Sequence, residues 1–136
     1  MSNIKLQISN QVQMSNDTKK QYNLGERTAK FGEEIIKFCR VFVKDVINVI
    51  LIEQLVRSGT SIGANYMEAD AAESKRDFIH KIGICKKEAK ETTYWLRMVA
   101  QYASDDQKAM CRILWQEARE LTLIFSAIIN STKRRE

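Results

Sequence analysis

Proline is absent from this 136-residue chain, and glycine occurs only five times. An all-β domain needs a turn about every 8–12 residues, and turns draw on those two residue types. That argues against a sandwich or barrel. Histidine occurs once, as His80, so a multi-histidine metal centre has too few ligands. A hydrolase triad would have only that one base, and no Gly-x-Ser-x-Gly or comparable nucleophile accompanies it. The three cysteines, Cys39, Cys85 and Cys111, are odd in number and far apart, with no C-x-x-C pair. That pattern fits reduced, mostly buried thiols in a cytoplasmic protein rather than a disulfide framework. Long apolar runs are missing too. The longest, Val49–Ile52, is too short to span a membrane. Met1–Thr18 is polar and lacks the apolar centre of a secretory signal.

What is present is the composition of one soluble helical domain. Hydrophobic residues make up 44% of the chain, close to the globular average. A domain of this size buries roughly two thirds of its unfolded surface, so one core suffices without metal or disulfide. The charge is +5, from 22 basic and 17 acidic residues.

A helical period dominates from Glu26 onward. Residues 1–24 are expected to form a loosely ordered arm, followed by a bundle over 25–133 and a basic tail at 134–136. The first helix is expected over about 25–44, with Phe31, Ile35, Phe38 and Phe42 on its apolar face and Ile36, Cys39 and Val43 widening it. The second is expected over about 48–72, with the stripe Leu51, Leu55, Ser58, Ile62, Asn65 and Ala69. Asp45 would fall on that stripe, so the turn is placed at Lys44–Asn48 with Asn48 as N-cap. Ser74–Asp77 has the form of a capping box and opens a third helix over about 75–103. Its stripe of Phe78, Ile82, Cys85, Ala89, Thr92, Leu96, Val99 and Ala103 alternates by four and three without a break. Ser104–Gln107 is a second capping box, with Asp105 and Asp106 at the positive end of the helix dipole. It opens a fourth helix over about 105–132, striped by Met110, Leu114, Glu117, Leu121, Ile124 and Ile128. Four amphipathic helices with short connections imply an all-α, antiparallel up-down-up-down four-helix bundle.

Three segments carry a family resemblance: Gln54–Asp70, Ser74–Ile82 and Cys85–Leu96. Ser61, Ile62, Asn65 and Glu68 on the second helix, then a third helix opened by serine with acidic residues inside it, resemble the bacterial 23S rRNA intervening-sequence proteins. The bundle proteins that accompany diversity-generating retroelements look like more distant relatives. The resemblance spans Glu26–Gln101. It implies a barrel-like homopentamer with no established enzymatic activity. The family's name refers to the location of its genes within rRNA genes. Relatives often carry proline near the first turn, and this chain departs from them there.

Several residue groups are candidates for function. Gly59 and Gly63 form a G-x-x-x-G step that lets helix backbones approach closely, either within the subunit or between subunits. Each glycine costs about 1 kcal/mol of helix propensity, so the pair should have a packing role. Ser58, Asn65 and Glu117 lie on apolar stripes, where buried polar groups need partners. A polar cluster between the second and fourth helices, joined by Glu88, would fix helix register. Asp77 and His80 have the i, i+3 spacing of a di-iron motif, but the other ligands of such a site are missing. Trp95, Trp115 and Tyr102 are expected in the core or at a subunit interface.

Charge is the most informative surface feature. Residues 48–73 hold one basic and four acidic residues, whereas 74–104 hold seven basic and three acidic. Arg76, His80, Gly83, Lys87, Lys90, Tyr94 and Arg97 recur at three-four spacing. Lys87 lies about 200° around the helix from Cys85, so this face points away from the core. A basic face with an interleaved tyrosine can follow a phosphate backbone. Arg76, Lys81, Lys86, Lys87, Lys90 and Arg97 are the candidate contacts. A solvated face with internal Lys–Glu pairs and a surface for an acidic protein remain alternatives. The expectation is a non-catalytic, cytoplasmic homo-oligomer, without cofactor, metal or membrane contact. It would bind RNA or DNA, or else serve as an adaptor for a protein partner such as a reverse transcriptase.

Overall fold

The computed structural model describes residues 17–135, with side chains from Leu24 onward. Four helices follow in order: α1 (Asp17–Arg40), α2 (Val46–Asp70), α3 (Lys75–Val99) and α4 (Asp105–Arg134). The fold is all-α, a four-helix arrangement with no strand among the described residues. Most of the expected arm lies outside the described residues, but α1 begins at Asp17, ahead of the position near Gly25 that the apolar period marks.

The first turn comes earlier than expected, and the reason is local. The Asp45 carboxylate accepts from the backbone N–H groups of Ile47 and Asn48, at 2.9 and 2.8 Å. It therefore caps α2, a role the sequence had given to Asn48. The Asn48 amide points back and donates to the Val43 carbonyl at 2.8 Å, closing the turn from the other side. Helix α1 thus stops at Arg40. Phe42 lies beyond it yet is buried, edge-on to Phe38 with ring centroids 4.9 Å apart. Val43 sits in the turn rather than on a helix face, and it is 78% exposed. Ile36 is also exposed, because the face centred on Ile35 is narrower than its neighbours suggest.

The other helix ends fit the sequence more closely. Ser74 Oγ accepts from the Asp77 N–H at 3.0 Å. At Ser104 both halves of the capping box form, with Gln107 reaching back to the Ser104 N–H at 2.9 Å. Helix α3 ends at Val99 rather than 103, because Ala100–Tyr102 tighten into a 3₁₀ turn. Helix α4 runs on through Arg134, which the sequence had placed in a basic tail. Lys133 and Arg134 lie in its last turn, where cations suit the dipole.

The core forms where the stripes meet. Ile35, Leu55, Ile62, Ile82, Leu96, Leu114, Leu121 and Phe125 are fully enclosed. Helices adjacent in sequence share most of the packing, and α1 meets α4 only sparsely. Polar contacts cross that open seam: Arg27 to Glu117 and, at 3.6 Å, to Glu120, and Gln107 to the Val41 carbonyl at 3.4 Å. None of the described residues has a left-handed φ, so the glycines of α1 and α2 supply space rather than an unusual backbone. An added Cβ on Gly63 would lie 3.3 Å from the Thr28 carbonyl carbon, and one on Gly59 would lie 2.9 Å from Ile35 Cγ1. The G-x-x-x-G step is therefore where α1 crosses α2, a packing role within the subunit.

Candidate nucleic-acid interface

Opposite its buried stripe, α3 turns Arg76, His80, Lys87, Lys90, Tyr94 and Arg97 outward, all exposed. Between this face and α4 lies an open depression of about 710 Å³, within the size range of small-ligand clefts. Lys86, Lys87, Lys90 and Arg97 line it, with Glu91, Tyr94 and, from α4, Trp115. None of these four cations forms an ion pair among the described residues. None of the four is therefore engaged by a direct acidic partner among those residues. Glu91 is the one acid in the lining. It pairs with Arg57 of α2, which it shares with Glu88, 3.2 Å from the guanidinium.

Two of the six candidate cations stand apart. Lys81 is drawn to Glu68 of α2 at 3.0 Å. Hydrogen bonding to that carboxylate, reinforced by its charge, raises the ammonium pKa. Arg76, in the first turn of α3, is exposed but does not line the depression.

The expected polar cluster is not a single cluster. Ser58 meets Thr92 of α3 rather than α4, with Thr92 Oγ1 and Ser58 Oγ 3.0 Å apart and both side chains buried. Asn65 donates to the Ser61 carbonyl one turn earlier, at 2.8 Å. Glu88 pairs with Arg57. Glu117, buried, takes a two-pronged hydrogen bond from Arg27 of α1 at 2.6 and 2.8 Å. Burial pushes the Glu117 carboxyl above the usual carboxylate range, against the downward pull of Arg27. Burial also works against the charge of Arg27, and the Glu117 hydrogen bond and charge outweigh it, so Arg27 stays firmly cationic. All four polar residues sit on or near apolar stripes, yet each has a different partner.

The chemical candidates are correspondingly few. The three thiols are buried and free. Desolvation pushes Cys39 and Cys85 up to about 12 and Cys111 up to about 11, so they are inert at neutral pH. His80 is exposed, and no group of three or more metal-ligating side chains gathers among the described residues. No described helix is long and apolar enough to cross a membrane.

Sequence reasoning missed the contribution of α4. Trp115 is 38% exposed rather than in the core, and the Arg119 guanidinium lies 5.6 Å from its ring centroid, a cation–π distance. The i, i+4 spacing of Trp115 and Arg119 was the only signal available. Tyr102 is likewise exposed, whereas Trp95 packs against the core.

Residues 20–121 match the family described as 23S rRNA-intervening sequence protein. A solved structure from Bacteroides thetaiotaomicron, a protein of unknown function from the S23 ribosomal protein family, is similar at a TM-score of 0.68 and 33% identity. The similarity covers 77% of this chain and 96% of that one. No curated protein matches the chain.

Proposed function

The chain belongs to the family of 23S rRNA-intervening sequence proteins, and on that footing we propose that it is a non-catalytic, cytoplasmic, homo-oligomeric scaffold that binds nucleic acid through α3. One observation carries this reading. Lys86, Lys87, Lys90 and Arg97 surround one depression without an ion pair among the described residues. A solvated helix face would spread its cations among acidic neighbours, as Lys81 and Arg57 do here. Cations left free beside an aromatic surface suit a polyphosphate backbone. A ring of subunits, the pentamer that the resemblance implies, would repeat the patch and raise avidity.

Self-association has its own support. Val41, Val43, Val46, Ile47 and Ile50 gather around the α1–α2 turn, and Val46 is 84% exposed. Exposed aliphatic side chains clustered this closely mark an interaction surface. The same corner favours a second reading, an adaptor that docks a nucleic-acid enzyme such as a reverse transcriptase.

Fluorescence anisotropy with a structured RNA and a duplex DNA, across about 50–200 mM salt, tests the first reading. The comparison is with a K87A/K90A/R97A variant of confirmed oligomeric state. Steeply salt-dependent binding, lost in the variant, is expected. Absence of binding at the low-salt end would overturn the nucleic-acid reading and leave the adaptor. Light scattering on a V46D/I50D variant tests the corner, which should shift toward monomer if it joins subunits.

A further inference from the structure

Phosphate binding needs cations, but the depression also presents two aromatic rings to solvent. Tyr94 is 52% exposed on α3, and Trp115 lines the same hollow from α4. Exposed aromatic rings gain less from the outside of a duplex, whose bases are already stacked on one another, than the cations beside them do. They do suit unpaired bases, since every base has a face that stacks on an aromatic ring.

Tyr94 is also held in place. Tyr94 packs edge-on against Trp95, with centroids 5.0 Å apart. The Trp95 indole N–H donates to Glu91 at 3.2 Å, and Arg57 of α2 fixes Glu91. Tyr94 thus stands at the end of a chain of contacts anchored on a second helix. Trp115 has Arg119 against its ring. A ring held before binding, as Tyr94 is, loses little freedom when a base lands on it.

We propose that this depression binds single-stranded nucleic acid, stacking unpaired bases on Tyr94 and Trp115 while Lys87, Lys90 and Arg97 hold the backbone. The inference rests on the nucleic-acid reading above and narrows it to strands with accessible bases. RNA and DNA single strands share this chemistry.

The test uses labelled oligo(U), oligo(dT) and a blunt duplex of equal length, titrated at matched salt with wild-type protein, Y94A/W115A and Y94F/W115F. Stacking predicts that single strands bind more tightly than the duplex. Y94A/W115A should lose about tenfold or more, since stacking is worth about 1–3 kcal/mol per base. Its salt dependence should stay unchanged because the phosphate contacts remain, and Y94F/W115F should keep most of the affinity. The relative strength of oligo(U) and oligo(dT) reports the preference for sugar and 5-methyl group together, with stacking upheld in either case. Equal binding of the duplex, or full affinity in Y94A/W115A, overturns stacking and leaves the basic-face reading standing. No binding of any probe by the wild type at low salt overturns both. A changed oligomer mass in Y94A/W115A would assign the rings to a subunit contact, and the proposal would fall.

Discussion

Arg27 and Glu117 stand ninety residues apart in sequence, and the guanidinium of one grips the carboxylate of the other with two hydrogen bonds across the α1–α4 seam. Both side chains are nearly enclosed, at 11% and 4% exposure. Removing one partner strands a charge away from water. Glu117→Ala is expected to cost about 3 kcal/mol, the low end for a broken buried pair. Glu120, 3.6 Å from Arg27, offers partial replacement. A double R27M/E117M variant should be more stable than E117A alone, because it leaves no buried charge unpaired. Urea denaturation of both variants checks the order, and the reverse order would contradict it.

The glycines divide by what surrounds them. Gly63→Ala brings a methyl group against the α1 backbone at Thr28, and Gly59→Ala presses on the fully buried Ile35. Each should destabilise by about 1–3 kcal/mol through overpacking. Gly83 on α3 has nothing within 4 Å of an added Cβ. Gly83→Ala should therefore stabilise, by up to about 1 kcal/mol of helix propensity. Thermal melts of the three variants read both signs at once.

The thiols predict a pH dependence. An unfolded cysteine ionises near pH 8.5, whereas the folded thiols hold their protons to about pH 11 or 12. Between those limits the unfolded chain binds fewer protons, so stability present below the unfolded pKa falls as pH rises. Each thiol adds a slope of about 1.4 kcal/mol per pH unit. Cys85→Ala should flatten the decline in urea midpoint from pH 9 to 10.5 by one thiol's share. Lysine and tyrosine titration is common to both proteins and cancels in the comparison. An unchanged slope would mean that Cys85 ionises in the folded state.

The sequence was most legible where a single helix carried the signal. The α3 stripe is buried from Ile82 through Cys85, Ala89, Thr92 and Leu96 to Val99, and half-buried at its ends, Phe78 and Ala103, because each central position follows from helical period alone. The same period placed Lys87, Lys90 and Arg97 outward. Segment 17–23 has no apolar period, so the start of α1 was unreadable. The first turn was misjudged because Asp45 sits in register with an apolar stripe, while its capping role depends on two backbone N–H groups. Ser58 and Glu117 were recognisable as polar residues in apolar company. Their partners, Thr92 and Arg27, were not, since the pairings arise only when different helices pack. Trp115 entered the site for the same reason.

The sparse α1–α4 seam also bears on the order of assembly. Packing between sequence neighbours closes short loops and forms early, whereas joining the first helix to the last must close nearly the whole chain. The seam is therefore expected to zip up after the transition state. Loss of the Arg27–Glu117 contact should then speed unfolding and leave the refolding rate almost untouched. In a chevron plot of E117A, only the unfolding limb should rise. A slowed folding limb would instead mean that the two ends of the chain meet before the middle has set.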